Sequence, residues 1–143
     1  MNKNHIILLA IILFCIGIVS VLAGTSMARP DPEKGITSWI AAVNSHNYDR
    51  VYDLAPLSIH QQINRSSFLS AQNGNPLLAP GTLIKGYTVL NKTISGDKSN
   101  ITTRLNLLMP AKINQSEEEI SLFIKFVEVY EKGEWHVWTD APE

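Results

Sequence analysis

One carboxylate in this chain sits in a pattern that could give it acid–base chemistry. From Ile120 the sequence alternates Ile120, Leu122, Ile124, Phe126, Glu128 and Tyr130, the period of a strand with one buried face. If that register runs on, Glu128 enters the apolar space behind Phe126, where lost hydration raises a carboxyl pKa as a general acid or base requires. A β-bulge near Phe126 would do the opposite, turning Val127 and Val129 inward and leaving Glu128 in water. The curvature of so long a strand favours such a bulge. Tyr52 and Tyr87 are the phenols that could donate to a bound oxygen, although each also reads as a core aromatic with its hydroxyl at the rim. On the last strand His136, Trp138 and Asp140 alternate with Trp135, Val137 and Thr139. If the Trp135 side is the dry one, His136 and Trp138 form a patch for stacking a ligand or docking a partner. Tyr52, Tyr87, Glu128 and Trp138 are therefore the candidate ligand-binding residues.

The rest of the sequence offers little competing chemistry. His46 and His60, with Asp49 and Asp53 four residues apart, lack the spacing of a zinc motif and read as solvated or capping groups, so no metal and no cofactor is expected. There is no Gly-rich phosphate loop and no Gly-x-Ser-x-Gly elbow, which leaves nucleophilic catalysis without visible machinery. Twelve Lys plus Arg against thirteen Asp plus Glu give a net charge of −1, without the basic footprint of a nucleic-acid binder. The single cysteine, Cys15, can make neither an intrachain disulfide nor a Cys-rich zinc site.

The elements that must position these residues fall into two halves. With 143 residues, 45% of them hydrophobic, the chain suits one compact domain. Asp31 and Pro32 suit the start of a helix whose Ile36, Trp39, Ile40 and Val43 share one face. Asn44 to Asn47 breaks it, and a second short helix carries Tyr48, Val51, Tyr52 and Leu54 up to Pro56, which ends it. These two helices read as a hairpin. A weaker helical patch over residues 66–72 brings Phe68 and Leu69 toward the core, before Asn73-Gly74-Asn75-Pro76 imposes a loop. From Thr82 the period changes to that of strands, over 82–94, 101–109, 120–131 and 134–139. In the second of these Ile101, Leu105, Leu107 and Met109 share one face while Thr102, Arg104 and Asn106 take the other. The pattern is an antiparallel meander with one dry side, which the helices must cover.

Ahead of this domain lies Ile6 to Ala23, eighteen residues without a charge, spanning roughly 27 Å as a helix against a hydrocarbon layer of about 30 Å. It is long for a signal sequence and reads as a single membrane anchor, although small residues at Val21 and Ala23, or Ser26 and Ala28, also suit cleavage. Cys15 lacks the context of a lipidated cysteine and reads as an apolar filler. Thr25 to Pro32 is a short linker. The expected organisation is a signal segment or anchor with its linker over 1–28, then one domain over 29–143, either outside the cell membrane or secreted. Four Asn-x-Ser/Thr triplets, at Asn64, Asn91, Asn100 and Asn114, exceed the roughly 1.5 that chance gives. They read either as glycan acceptors or as a polar surface without sugar.

The run EKGITSWIAAVNSHNYDRVYDLAP, a further helical stretch, and four strands ending in GEWHVWTD resemble the nuclear-transport-factor-2-like, or cystatin-like, superfamily over roughly residues 31 to 140. The most specific pieces are Trp39 followed by Asn44-Ser45-His46-Asn47-Tyr48-Asp49, and the terminal Gly133-Glu134-Trp135-His136-Val137. Within it the chain is most similar to small extracytoplasmic prokaryotic lumazine-binding-like domains. The resemblance implies an α+β fold in which helices pack on a curved antiparallel sheet to form a cone with a pocket. It implies chemistry poorly, because such frames serve isomerases, dehydratases and many non-enzymes. Three functions follow as expectations. The first is a non-catalytic domain binding a small apolar ligand or a protein partner. The second is an isomerase or hydratase-like enzyme with Glu128 as acid or base and Tyr52 or Tyr87 stabilising an oxyanion. The third is an accessory domain that forms a homodimer through its sheet.

Overall fold

A computed structural model describes residues 28–72, 75, 80–110 and 117–139. The anchor or signal segment, Cys15, most of the 73–76 loop, Asn114 and Asp140 lie outside the described residues. No helix among those described is long and apolar enough to cross a membrane. Among the described residues the architecture is α+β, with four helices followed by a four-stranded antiparallel sheet in the order β1-β2-β3-β4. The helices are α1 (Glu33–Asn44), α2 (Tyr48–Asp53), α3 (Leu57–Gln62) and α4 (Arg65–Ala71). The strands are β1 (Leu83–Ser95), β2 (Lys98–Met109), β3 (Glu118–Glu131) and β4 (Glu134–Thr139).

Three of the four helices start where the adjoining sequence supplies a partner for orphan backbone N–H groups. The Asp31 carboxylate accepts from Glu33 N–H at 3.0 Å, Asn47 Oδ1 accepts from Arg50 N–H at 3.0 Å, and Asn64 Oδ1 accepts from Ser67 N–H at 2.9 Å. The helix α3 departs from the sequence reading. Pro56 does end α2, but its fixed φ also launches a new turn, because a proline lacks only an N–H that the start of a helix leaves unused. The segment read as a linker is also more firmly held than expected. Arg29 stacks over the Tyr130 ring at 5.2 Å, and the Trp135 indole N–H donates to the Pro30 carbonyl at 2.6 Å, so residues 29–32 are part of the domain.

The dry face of the sheet carries Ile84 from β1, Ile101, Leu105 and Leu107 from β2, Ile124 and Phe126 from β3, and Trp135 and Val137 from β4, all buried. It packs against Ile36, Trp39, Ala42 and Val43 of α1, with Val51, Tyr52 and Phe68 behind them. Trp39 meets Phe126 edge-on at 5.3 Å, a favoured aromatic geometry. The opposite face is polar and open around Arg104 and Asn106, and the sequons at Asn91 and Asn100 are exposed.

The bulge expected near Phe126 is absent. The β2–β3 pairing runs unbroken from Lys98↔Val129 to Met109↔Glu118, and the irregularities fall instead on β1, between Ile84 and Gly86 and between Val89 and Asn91. The physical reason is position: β3 is paired on both sides, so a bulge there would disrupt two ladders, whereas β1 is an edge strand with one. The two bulges place Tyr87, Val89 and Lys92 opposite the inward residues of β2 and leave Leu90 half exposed. At the first bulge the Asn44 side chain donates to the Ile84 carbonyl and accepts from the Ile84 N–H, both at 2.9 Å, fastening the end of α1 to the edge of the sheet. The other edge is closed by the chain after α2, where the Leu54 carbonyl accepts from Val137 N–H at 2.7 Å, which protects β4 from pairing with another strand. Replacing Asn44→Ala removes both bonds to Ile84 and is expected to cost roughly 1–3 kcal/mol, read as a lower midpoint of urea unfolding with an unchanged slope.

Candidate functional site

The four residues singled out by sequence do not converge on one site. Glu128 is a buried acid on β3, Trp138 lines an aromatic cleft at one end of the helical layer, and the two tyrosines belong to neither place. Because β3 keeps its register, Glu128 points inward and is 0% exposed. It faces Ser99 of β2 on one side and Val137 of β4 on the other. Neither carboxylate oxygen, nor the equally buried Ser99 hydroxyl, has a partner at hydrogen-bonding geometry. Gly35 explains how the acid is covered. A Cβ on this residue would lie 2.5 Å from Val137 Cγ2 and 2.9 Å from Glu128 Oε1, so only glycine lets the first turn of α1 settle onto β3 and β4 at this point.

Burial therefore dominates the titration of Glu128, raising its pKa from 4.5 to about 7 despite the opposing influence of the Ser99 hydroxyl and the Lys92 ammonium. Lys92 is itself held by Asp31 at 2.7 Å and Glu33 at 2.9 Å, so little of its charge is left to stabilise an anion on Glu128.

The second place is a cleft of about 130 Å³ lined by Trp39, Val51, Phe68, Gln72, Asn75, Trp138 and Thr139. Trp39, Val51 and Phe68 are supplied by three different helices and Trp138 by β4. Trp138 is half buried, with its ring 6.0 Å from that of Phe68, so α4 lies over part of the surface that Trp138 would otherwise offer a partner. The Gln72 amide donates to the Phe68 carbonyl at 3.1 Å and its Oε1 accepts from Asn75 at 3.3 Å, giving the cleft a small polar rim. His136, on the same strand face as Trp138, is half buried beside the Ala55 carbonyl at 3.2 Å, with Glu134 at 3.7 Å.

The two tyrosines stand elsewhere. Tyr52 is buried, its hydroxyl donates to the Ile63 carbonyl at 2.7 Å, and His60 stacks on its ring at 4.5 Å. It supports the cleft from behind through Phe68, 5.4 Å away, and lines neither described cleft. Tyr87 is half buried on the inner face opposite Leu105 and also lines neither. Asp49 and Asp53 are both engaged by Arg65, and among the described residues no group of three His, Cys, Asp or Glu could hold a metal ion. Trp39, Val51 and Phe68 are the cleft residues that sequence reasoning missed as such. Their helical spacing announced only that they were apolar and inward.

A second cleft, of about 140 Å³, opens beside Lys34, Arg50, Glu134 and Trp135, and Glu128 lines neither one. Searches for this chain return no matching family model and no matching curated protein.

The raised pKa of Glu128 has a definite sign in the stability of the fold. Between pH 4.5 and about 7 the folded state holds a proton on Glu128 that the unfolded chain has lost, so this group's contribution to stability is full in acid and is lost as the pH rises through about 7. From pH 5 to pH 8 the decline from this group amounts to roughly 2–3 kcal/mol, and Glu128→Gln is expected to remove it, as measured by denaturant unfolding at each pH.

Proposed function

We propose that this chain is a non-catalytic binding domain of the nuclear-transport-factor-2-like type. In this reading it is carried outside the cytoplasm on the anchor Ile6 to Ala23, or released by cleavage there, and it takes a small apolar ligand between Trp39, Phe68 and Trp138. The observation that carries the reading is the cleft itself: aromatic walls, a narrow amide rim, and a volume of about 130 Å³. A cavity of roughly 150 Å³ with apolar walls suffices to bind benzene, and pockets of this kind take their affinity from apolar walls and their orientation from a few polar groups. The helices-then-meander order, with the helices packed on one face of the sheet, supports the cone-like frame that the resemblance implies. The charge-free run at the start of the sequence supports the location.

Acid–base catalysis by Glu128 has the raised pKa in its favour but less support from access. The carboxyl lines neither cleft: it lies beneath Gly35, whose backbone separates it from the cleft of about 140 Å³ that Gly35 lines, and the Tyr52 hydroxyl is committed to a backbone carbonyl.

Toluene is a ligand of the expected size and character. Titrated into the protein and followed by the amide and indole resonances of Trp39 and Trp138, it is expected to bind saturably. The cavity-filling change Val51→Phe is expected to weaken that binding at least tenfold while leaving the fold intact. Shifts that grow linearly with toluene, or that Val51→Phe leaves unaltered, would remove this reading.

A further inference from the structure

The corner of the domain around Glu128 joins three features that ligand binding does not use. The acid is wholly buried, and its oxygens face only the Ser99 hydroxyl across the ladder without closing a hydrogen bond of good geometry, so one neutral hydroxyl is set against the loss of hydration. Its cover is the backbone of the first turn of α1, with no side chain at Gly35 to intervene. The stretch leading into that turn is tied to the same corner by a short series of contacts: Arg29 on the Tyr130 ring, Trp135 Nε1–H to the Pro30 carbonyl, and Asp31 to Lys92. Tyr130 and Trp135 in turn meet edge-on at 5.2 Å.

The groups facing Glu128 provide no cationic cage. Lys92 comes from β1, the Ser99 hydroxyl from β2, Glu33 from α1 and Asp31 from the residues just before it, while β4 presents the apolar side chains of Val137 and Trp135. Two carboxylates share the one ammonium. An additional negative charge in the closed corner would thus be desolvated and have no free counter-ion, a state that proteins avoid by taking up a proton or by admitting water.

We propose that Glu128 is a proton-binding site that latches the strap Arg29–Gly35 to the sheet. The neutral carboxyl is compatible with the closed corner; its ionisation admits water and releases the strap with the first turn of α1. The far end of α1 stays attached through Asn44 and Ile84, so the motion is a local opening rather than unfolding. The proton thereby controls how firmly residues 29–35, through which the chain enters the domain, are packed on the sheet. The latch is independent of whether the aromatic cleft takes a ligand. Its affinity for a proton, near pH 7, places the change in the neutral range.

The test is hydrogen exchange by mass spectrometry on the full chain in detergent micelles at pH 5.5, 6.5, 7.5 and 8.5, each rate corrected for its intrinsic pH dependence. Protection of the peptides covering 29–37 is expected to fall at least tenfold between pH 5.5 and 8.5, while β2 peptides over 101–107 change by less than threefold. In Glu128→Gln, and in Glu128→Met as a second neutral replacement, protection of 29–37 is expected to stay constant across the range. In the wild type the Trp135 indole N–H resonance offers a check that needs no variant, since release from Pro30 shifts it over the same interval. Unchanged protection of 29–37 from pH 5.5 to 8.5 in the wild type overturns the proposal. So does a pH response that survives in either neutral variant, which would assign the titration to another group.

Discussion

At Gly35 the backbone of α1 rests on β3 and β4 with no room for a methyl group, and much of the rest of the domain depends on that approach. It sets the distance between the helix and the sheet, and so decides how Ile36 and Trp39 reach Ile101, Leu105 and Phe126 to close the core. Apolar side chains from both layers are removed from water together, the dominant favourable contribution to a domain of this size. The same approach covers Glu128. A carboxyl is thereby kept among Phe126, Trp135 and Val137 with the Ser99 hydroxyl opposite it, and its preference for the neutral form follows chiefly from lost hydration.

The two edges of the sheet are treated differently, and each treatment shapes a functional region. On β1 the bulges change which side chains face inward, bringing Lys92 to the start of α1, where it bridges Asp31 and Glu33. On β4 the chain between α2 and α3 supplies the carbonyls of Leu54 and Ala55 to Val137 and His136. That contact carries α3 and α4 around the edge, so that Phe68 comes to stand beside Trp138 and the aromatic cleft has a wall on each side. Tyr52 holds this arrangement through His60, Phe68 and the Ile63 carbonyl, a structural use of a residue whose chemistry alone had suggested a ligand contact.

Much of the fold was legible because its signals are local. The alternation in β2 separates Ile101, Leu105 and Leu107 from Arg104 and Asn106 without reference to anything outside the strand. Asn47 reads as a helix start from its own side chain. The site was less legible. Whether Glu128 faced the core or solvent turned on a single bulge, and a one-residue slip reverses every side chain beyond it. The helix α3 was missed because Pro56 reads equally as the end of one helix and the start of the next. The strap was missed because a Pro-containing polar stretch carries no local sign of the indole and phenol rings that hold it.

By itself the sequence determined that helices precede a four-stranded meander, that one face of the sheet is dry, that acidic and basic residues nearly balance, and that a charge-free run leads the chain. All of these follow from composition and from periods of 2 and 3.6 residues, which a strand or helix expresses independently of its neighbours. Only the tertiary structure decided that the bulges fall on β1 and not β3, that Gly35 covers Glu128, and that Trp39, Val51, Phe68 and Trp138 share a cleft. Those outcomes depend on which ladders a bulge would break and on how closely two layers can approach, and both involve residues up to a hundred positions apart.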